Sequence, residues 1–193
     1  VEAQAQTHVR LAPYEGELIS TPRFSGVGET VSVATDGLQS GEAYTLNWTR
    51  VIGNRMTGLG WEESSIPIAE ATADATGNIV FEFETPDDLG GTHGLWVDDT
   101  GTRKLGTHFV KTTAFPIDVE QGPVGTTITL HLKGVGWSET SNIMHLVYDN
   151  AYIGYACAFN SQGDLEIFVQ ATGTPGWHFI DLYPGIYKGV ETN

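Results

Sequence analysis

Residues 125–135 have the sequence GTTITLHLKGV, and this stretch decides the fold because the chain contains its pattern twice. Residues 28–38, GETVSVATDGL, repeat the same spacing 97 positions earlier, again with a glycine at the start and another near the end. Between the glycines apolar and polar side chains alternate, so that Ile128, Leu130 and Leu132 share one face. A period of two predicts a β-strand with one buried face, and flanking glycines predict turns.

The other strands can be placed relative to these two copies. In the first half the pattern predicts strands at 30–35, 44–51, 78–84, 93–98 and 106–113. The second half repeats the order, and the spacing aligns Val31 with Ile128, Phe81 with Ile167 and His93 with His178. Many short strands separated by turns, in a chain of 193 residues with 24 glycines, predict an all-β protein of two tandem immunoglobulin-like β-sandwich domains. The predicted core includes five residues: Phe81, Phe83, Leu95, Ile167 and Ile180.

The same comparison predicts the domain boundaries. Residues 1–12 form an N-terminal extended strand that is a possible donor strand, and residues 13–113 form the first domain. An insertion at 52–69 interrupts the first domain and has no counterpart in the second. Residues 114–193 form the second domain, which lacks its last strand.

The turns of this pattern resemble those of a known family. Asp74-Ala-Thr-Gly77 is a D-x-x-G turn, and a strand, Pro86 and a G-x-H sequence ending at His93 follow it. This order resembles the immunoglobulin-like repeats of the IPT/TIG type in bacterial and archaeal surface proteins. The resemblance implies a secreted structural or adhesive module, and it supplies no catalytic residue.

Charge and cysteine content restrict the function further. The net charge is −15 with only nine Lys and Arg residues, which argues against nucleic-acid binding. The sequence contains no apolar stretch long enough to span a membrane. Cys157 is the only cysteine, so no intrachain disulfide can form, and its apolar neighbours predict a small buried side chain. The start Val-Glu-Ala-Gln is compatible with a mature terminus after signal cleavage, so we expect a secreted or cell-surface protein.

The N-terminus resembles the strand that the second domain lacks. Residues 6–11, QTHVRL, match residues 106–111, GTHFVK, with Thr7 and His8 one hundred positions before Thr107 and His108. The first hypothesis is head-to-tail donation of this strand to a neighbouring subunit, which would build a filament. The other two are that the chain is a slice of a longer tandem array, and that residues 1–11 pair with their own domain.

The donor residues under the first hypothesis are Thr7, His8, Val9, Arg10 and Leu11. We expect them to lie beside residues 178–183 and to bury Val9 and Leu11, because an unfilled sandwich edge exposes unpaired backbone groups and part of its core.

The insertion at 52–69 is the candidate for ligand recognition. It carries Arg55, Trp61, Glu62 and Glu63, and an aromatic ring with nearby polar groups is typical of a sugar or protein contact. The alternative is that Trp61 and Ile66 cover the end of the sandwich as a lid.

The remaining candidate sites have weak signals. His93 and His178 recur with the fold and are therefore predicted to be structural. His131 and His145 could share a metal if they lie on neighbouring strands. Acidic turns at 87–88, 98–101 and 149–150 could bind calcium, although none matches an EF-hand loop, and no cofactor is predicted.

The chain contains no G-x-S-x-G or H-E-x-x-H sequence and no phosphate-binding loop, so a non-enzymatic protein is predicted. The predicted function is an extracellular structural or adhesive protein, with itself or neighbouring immunoglobulin-like domains as partner. The competing function is a carbohydrate-binding or spacer module of a larger secreted enzyme or surface repeat protein, with a glycan or surface protein as partner. Such a module needs two or three coplanar exposed rings.

Overall fold

The computed structural model describes residues 17–54, 60–136, 142–158 and 162–185. These residues form strands and turns and contain no helix. In chain order the strands are β1 (Ile19–Thr21), β2 (Phe24–Ser25), β3 (Thr30–Thr35), β4 (Ala43–Asn54), β5 (Gly60–Thr72), β6 (Ile79–Glu84), β7 (Gly91–Asp99), β8 (Thr102–Val110), β9 (Thr113–Ala114), β10 (Thr127–Lys133), β11 (Ile143–Tyr148), β12 (Ala151–Cys157), β13 (Leu165–Gln170) and β14 (Ile180–Gly185).

The first sandwich is formed by β1 to β8. A three-stranded sheet in the order β1-β3-β6 lies opposite a five-stranded sheet in the order β2-β8-β7-β4-β5. β1, β3 and β6 belong to one sheet, whereas the β4–β5 and β7–β8 hairpins belong to the other, so the chain crosses repeatedly between two packed sheets as in an immunoglobulin-like sandwich. Alternation in β6 directs Ile79, Phe81 and Phe83 into the core while Val80 points outward. These residues pack with Trp48 and Leu95 in one buried cluster.

The second sandwich is formed by β9 to β14 and repeats the same order with fewer strands. Its sheets are β13-β10-β9 and β12-β11-β14, and a second buried cluster lies between them. The strand registers confirm the predicted alignment. Val31 is opposite Phe83 and Val33 opposite Phe81 in the first sandwich, as Ile128 is opposite Val169 and Leu130 opposite Ile167 in the second. The all-β, tandem immunoglobulin-like fold is therefore confirmed, whereas the domain boundaries remain predictions.

The turns repeat as closely as the strands. The Leu38 amide donates to the Gly77 carbonyl at 3.0 Å, and the Val135 amide donates to the Gly163 carbonyl at 3.0 Å. Gly77 and Gly163 have φ values of 82° and 69°, in the left-handed region that favours glycine. A Cβ at either position would also lie 2.5 Å from the carbonyl oxygen of the facing residue. The repeated glycines are therefore required by both conformation and space.

The described part of the segment predicted as an insertion at 52–69 is paired strand, and it extends a hairpin outward. Residues 52–54 and 60–69 belong to a β4–β5 hairpin, whose ladder runs from Ala43↔Thr72 to Asn54↔Gly60. The hairpin has a counterpart in β11–β12, and each carries a register shift at the same place, after Leu46 and after Leu146. The second copy is shorter because a turn at Asp149-Asn150 closes it directly.

Three smaller predictions, on two buried side chains and one histidine pair, are wrong. Ile180 is half-buried rather than fully buried, because none of the described residues pairs with the far edge of β14. Cys157 is half-buried, since it lies on the outer side of β12. His131 and His145 lie in opposite sheets, on β10 and β11, so they are not on neighbouring strands and do not form the hypothesised metal pair.

The two sandwiches are in contact through their backbones. Gly90 forms an isolated bridge with Gly136, and the Gly90 amide donates to the Val135 carbonyl at 3.2 Å. Lys133 of the second sandwich forms an ion pair with Asp87 of the first. A Cβ on Gly90 would collide with the Gly134 carbonyl, so this approach needs glycine.

Candidate functional site: the open edge of β14

The feature that distinguishes the two sandwiches is the edge of β14. Its equivalent in the first sandwich, β7, pairs with β4 on one side and with all nine positions of β8 on the other. β14 pairs with β11 from Ile180 to Gly185, and no other strand among the described residues pairs with it. The amide and carbonyl groups on its far edge are the groups that β7 uses to bind β8. This edge of β14 can therefore accept another strand.

The open edge also exposes part of the core. Leu95 and Val97 on β7 are 1% and 0% exposed. Their equivalents Ile180 and Leu182 are only half-buried, although they point into the same side of the sandwich. Apolar side chains at this position gain free energy when they are removed from water. The second sandwich thus presents a groove whose inner wall is made of core residues.

A histidine stacked on an aromatic ring lies at the start of this edge. His178 stacks on Tyr148 at 5.4 Å, as His93 stacks on Trp48 at 4.4 Å in the first sandwich. The Nε2 atom of His178 lies 2.9 Å from the Thr174 carbonyl, and that of His93 lies 2.7 Å from the Leu89 carbonyl. The prediction that these histidines are structural agrees with this repeated geometry.

The charge environment of the two histidines differs. His178 Nδ1 lies 2.5 Å from the Asp149 carboxylate, which raises the pKa of His178, and the Thr174 carbonyl adds to the shift. The same contact, together with the Phe179 amide, lowers the pKa of Asp149. His93 Nδ1 instead faces the Thr49 carbonyl at 2.9 Å. The contact with Asp149 therefore favours the charged form of the His178 ring, which lies at the mouth of the groove.

The first sandwich contains a buried polar cluster that the sequence did not reveal. Ser25 lies 2.7 Å from His108 Nε2 and 2.5 Å from the Thr85 hydroxyl. Nearby, the Trp48 indole donates to the Asp88 carboxylate at 3.0 Å. Burial lowers the pKa of His108 to about 4, with a further contribution from His93, so this ring is neutral. Ser25 is 83 residues from His108 and 60 residues from Thr85, so no local spacing signals these contacts.

The second sandwich lacks this cluster. Two equivalent turns show which residues correspond: the Glu29 amide donates to the Gly26 carbonyl, and the Thr126 amide donates to the Pro123 carbonyl. Gly122, which precedes Pro123, is therefore the equivalent of Ser25, which precedes Gly26. The amides of Gly28 and Gly125 donate to Thr85 and Ala171 respectively, so Ala171 is the equivalent of Thr85. Neither Gly122 nor Ala171 has a side-chain hydroxyl. The side chain of Thr126 lies where a Cβ of Gly122 would be, and its hydroxyl donates to the Pro123 carbonyl at 2.7 Å.

Large aromatic side chains flank the open edge on the outer face. Trp177 is 90% exposed and Phe179 is 67% exposed, immediately before β14. Further across the sheet, His145 lies opposite both Tyr155 and Tyr183. Its ring is tilted by 64° against that of Tyr155, so these two rings do not form a flat platform. Exposed rings in this number are typical of a surface that contacts another molecule.

The residues predicted for binding are not gathered at this edge. Thr7, His8, Val9, Arg10, Leu11 and Arg55 lie outside the described residues. Trp61 is half-buried on β5, with Glu62 and Glu63 exposed beside it, and Ile66 packs on the core of the first sandwich. The ligand-binding prediction for Trp61, Glu62 and Glu63 and the alternative of a lid formed by Trp61 and Ile66 both stay predictions.

The acidic turns have protein partners. Asp98 pairs with Arg103 at 2.9 Å, and Asp99 accepts a hydrogen bond from the Tyr44 hydroxyl at 3.1 Å. Within the described ranges no three His, Cys, Asp or Glu side chains are grouped as a metal site would require. Calcium binding therefore remains untested, and no residue set is assigned to it.

Comparisons with known proteins give limited help. No protein-family model matches the chain, and no curated protein matches it. Among solved structures it is similar to domains 3 and 4 of rat CD4, at 12% identity and a TM-score of 0.34, over 84% of this chain and 91% of that one. The described part of the chain has no helix long and apolar enough to cross a membrane.

Proposed function

We propose that this protein is an extracellular structural subunit that assembles head to tail, with residues 6–11 of one copy filling the open edge of β14 in the next. The observation that carries the proposal is the half-burial of Ile180 and Leu182 beside a strand edge with which, apart from β11 on the other side, none of the described residues pairs. In the first sandwich β8 covers the equivalent edge, and the sequence of residues 6–11 resembles that of 106–111.

The energetics favour such an assembly. A donated strand would supply the backbone partners that β14 lacks, each hydrogen bond contributing on the order of 1 kcal/mol net. Burial of Val9 and Leu11 would add roughly 1.5–3 kcal/mol for each side chain. Because release of the strand would expose the core of the second sandwich again, we expect dissociation to be slow.

The one arrangement with catalytic residue types does not favour an enzyme. Ser25 and His108 are within hydrogen-bond distance, but they are 0% and 1% exposed. A nucleophile must reach its substrate, and this pair is enclosed by Trp48 and Phe83. We therefore assign the pair to packing of the first sandwich.

The test is deletion of residues 1–11. The full-length protein should form filaments visible by electron microscopy, and the truncated protein should remain monomeric with a destabilised second sandwich. Amide hydrogen exchange should show that β14 is unprotected in the truncated protein while β7 stays protected, and addition of the 1–11 peptide should restore protection. If the truncated protein assembles and melts like the full-length chain, strand donation is wrong.

A glycan-binding function is the second candidate, because Tyr155, His145 and Tyr183 form an aromatic row on the outer face of the second sandwich. A glycan screen with Tyr155→Ala and Trp61→Ala variants tests it. Millimolar or tighter binding that is lost in either variant would favour this function and would identify the binding surface.

A further inference from the structure

The first sandwich has a cleft where the second has a continuous sheet. β4 and β7 pair at two positions only, Asn47↔Trp96 and Trp48↔Leu95. The equivalent strands β11 and β14 pair along the whole length of both. The strands of the first sandwich therefore separate toward the start of β4 and the end of β7, and this separation leaves a gap between them.

The gap is a cleft of about 430 Å³. Thr45 and Asn47 of β4 line one side, and Trp96 and Asp98 of β7 line the other. In place of a ladder partner, the Thr45 carbonyl accepts a hydrogen bond from Nδ2 of Asn47 at 3.2 Å. The volume is within the range of small-molecule sites and leaves room for roughly one or two sugar rings.

Contacts within the protein hold the walls of the cleft in place. The Tyr44 hydroxyl donates to the Asp99 carboxylate at 3.1 Å and so joins the start of β4 to the end of β7. The Arg103 guanidinium pairs with Asp98 at 2.9 Å and lies 4.0 Å from the centre of the Trp96 ring. Side chains that are already ordered lose little further freedom when a ligand binds, so the cleft is prepared for binding.

The lining of the cleft contains both donors and acceptors. The hydroxyls of Thr45 and Thr100 can do both, the Gln39 side-chain amide has groups of both kinds, and the carboxylates of Asp98 and Asp99 accept only. A sugar hydroxyl likewise donates and accepts, whereas an ammonium or guanidinium group can only donate. The mixed lining therefore matches a neutral ligand with several hydroxyls better than it matches a cation.

The carboxylates of the cleft have protein partners that reduce its attraction for a cation. Asp98 is paired with Arg103, and Asp99 accepts the hydrogen bond from Tyr44. Glu42, the third carboxylate of the lining, is exposed to solvent. Within the described part of the chain these groups do not form a cluster that could hold a metal ion.

Trp96 supplies the apolar contact that a sugar ring needs. Its indole is half-buried, and Nε1 donates to the Ser65 hydroxyl at 3.3 Å, which fixes the position of the ring. The C–H groups of a sugar pack against aromatic carbon while its hydroxyls bond the polar lining. A cleft surrounds its ligand on several sides, so it does not need the row of coplanar rings that a flat platform needs.

We propose that the cleft between β4 and β7 binds a neutral saccharide unit, either as a free sugar or as part of a glycan. The site lies in the first sandwich, apart from the aromatic row of the second sandwich and from the edge of β14. It uses described residues only, so it stands or fails independently of strand donation.

The test is to fill the cleft. Thr45→Trp places an indole in it, and the matched control Thr107→Trp places the same side chain at an exposed position of β8 in the same sheet. The full-length protein and both variants are mixed with cellobiose, maltose, lactose or chitobiose, with spermidine as the cationic probe. Saturation-transfer NMR observes the small molecule, so it reports binding to single subunits and to assemblies alike.

We expect at least one disaccharide to receive saturation from the wild type and from Thr107→Trp, and to lose it with Thr45→Trp. Unchanged thermal melting of Thr45→Trp shows that the loss is local. The proposal is overturned if no disaccharide binds, if binding survives in Thr45→Trp, or if both Trp variants lose it. Thr45-dependent binding of spermidine without any sugar binding would overturn the assigned ligand class. Loss in Tyr155→Ala but not in Thr45→Trp would place the sugar on the second sandwich instead.

Discussion

At the scale of single residues, the histidines of the two sandwiches respond to pH in opposite directions. The folded pKa of His108 is about 4, below the value of 6.5 for an unperturbed ring, because burial disfavours its charged form. Unfolding therefore takes up a proton between these pH values, and stability is lost as the pH falls. The folded pKa of His178 is raised, so the stability from its contact with Asp149 is fully present below pH 6.5. That stability is lost as the pH rises through the raised pKa.

The prediction is that acidification destabilises the first sandwich selectively. Between pH 6.5 and 4 it should lose roughly 3 kcal/mol, at about 1.4 kcal/mol for each pKa unit, while the His178 contact keeps its contribution. Denaturant unfolding followed by NMR signals of each sandwich measures this difference. His108→Gln should remove the acid sensitivity of the first sandwich, and Asp149→Asn should remove the alkaline sensitivity of the second. An equal pH dependence in His108→Gln and the wild type would contradict the assignment.

Neighbouring residues on β6 provide a test of core packing. Phe81 is 1% exposed and Val80 is 57% exposed, because successive side chains point to opposite faces. Phe81→Ala should lower the free energy of unfolding by about 3–5 kcal/mol through the cavity it creates. Val80→Ala is the matched control and should change stability by about 0.5 kcal/mol or less. A cost under about 1 kcal/mol for Phe81→Ala in thermal melts would show that this residue does not support the core.

At the scale of elements, the sequence predicted strands whose alternation is regular. β3, β6, β10 and β13 have an apolar residue at every second, inward position over most of their length, and the structure places them as expected. β12 was missed because its sequence, AYIGYAC, has no such period, and the register shift after Leu146 interrupts the pairing. The outer part of the β4–β5 hairpin, residues 52–69, was interpreted as an insertion because glycines at 53, 58 and 60 suggested a loop.

The candidate site was harder to predict than the strands. The inward direction of Ile180 follows from the period of two, but its burial depends on whether another strand covers the edge. The replacement of Ser25 by Gly122 and of Thr85 by Ala171 follows from the sequence alignment, but the contact of Ser25 with His108, which gives it a meaning, does not. Sequence spacing therefore predicts the direction of a side chain, but not its contacts with residues that are distant in the chain.

At the scale of the whole molecule, the bridge between Gly90 and Gly136 joins the two sandwiches independently of the linker. Gly90→Ala should break this bridge, because its Cβ would collide with the Gly134 carbonyl, at a cost of about 1–3 kcal/mol. Small-angle scattering should then show a larger radius of gyration, while each sandwich stays folded. Gly94→Ala, on the adjacent strand β7, is the control: its Cβ would contact only Thr49 within the first sandwich, so the radius should not change. An unchanged radius in Gly90→Ala would mean that this bridge is not needed to hold the arrangement.

The exposed indole of Trp177 has a spectroscopic consequence. At 90% exposure it should fluoresce at long wavelength in the free subunit, whereas Trp48, at 0%, should emit at short wavelength in every state. A strand that docks beside β14 would remove Trp177 from water and shift its emission to shorter wavelength. Growth of the assembly can then be followed in real time without an added label, and Trp177→Phe would supply the blank trace.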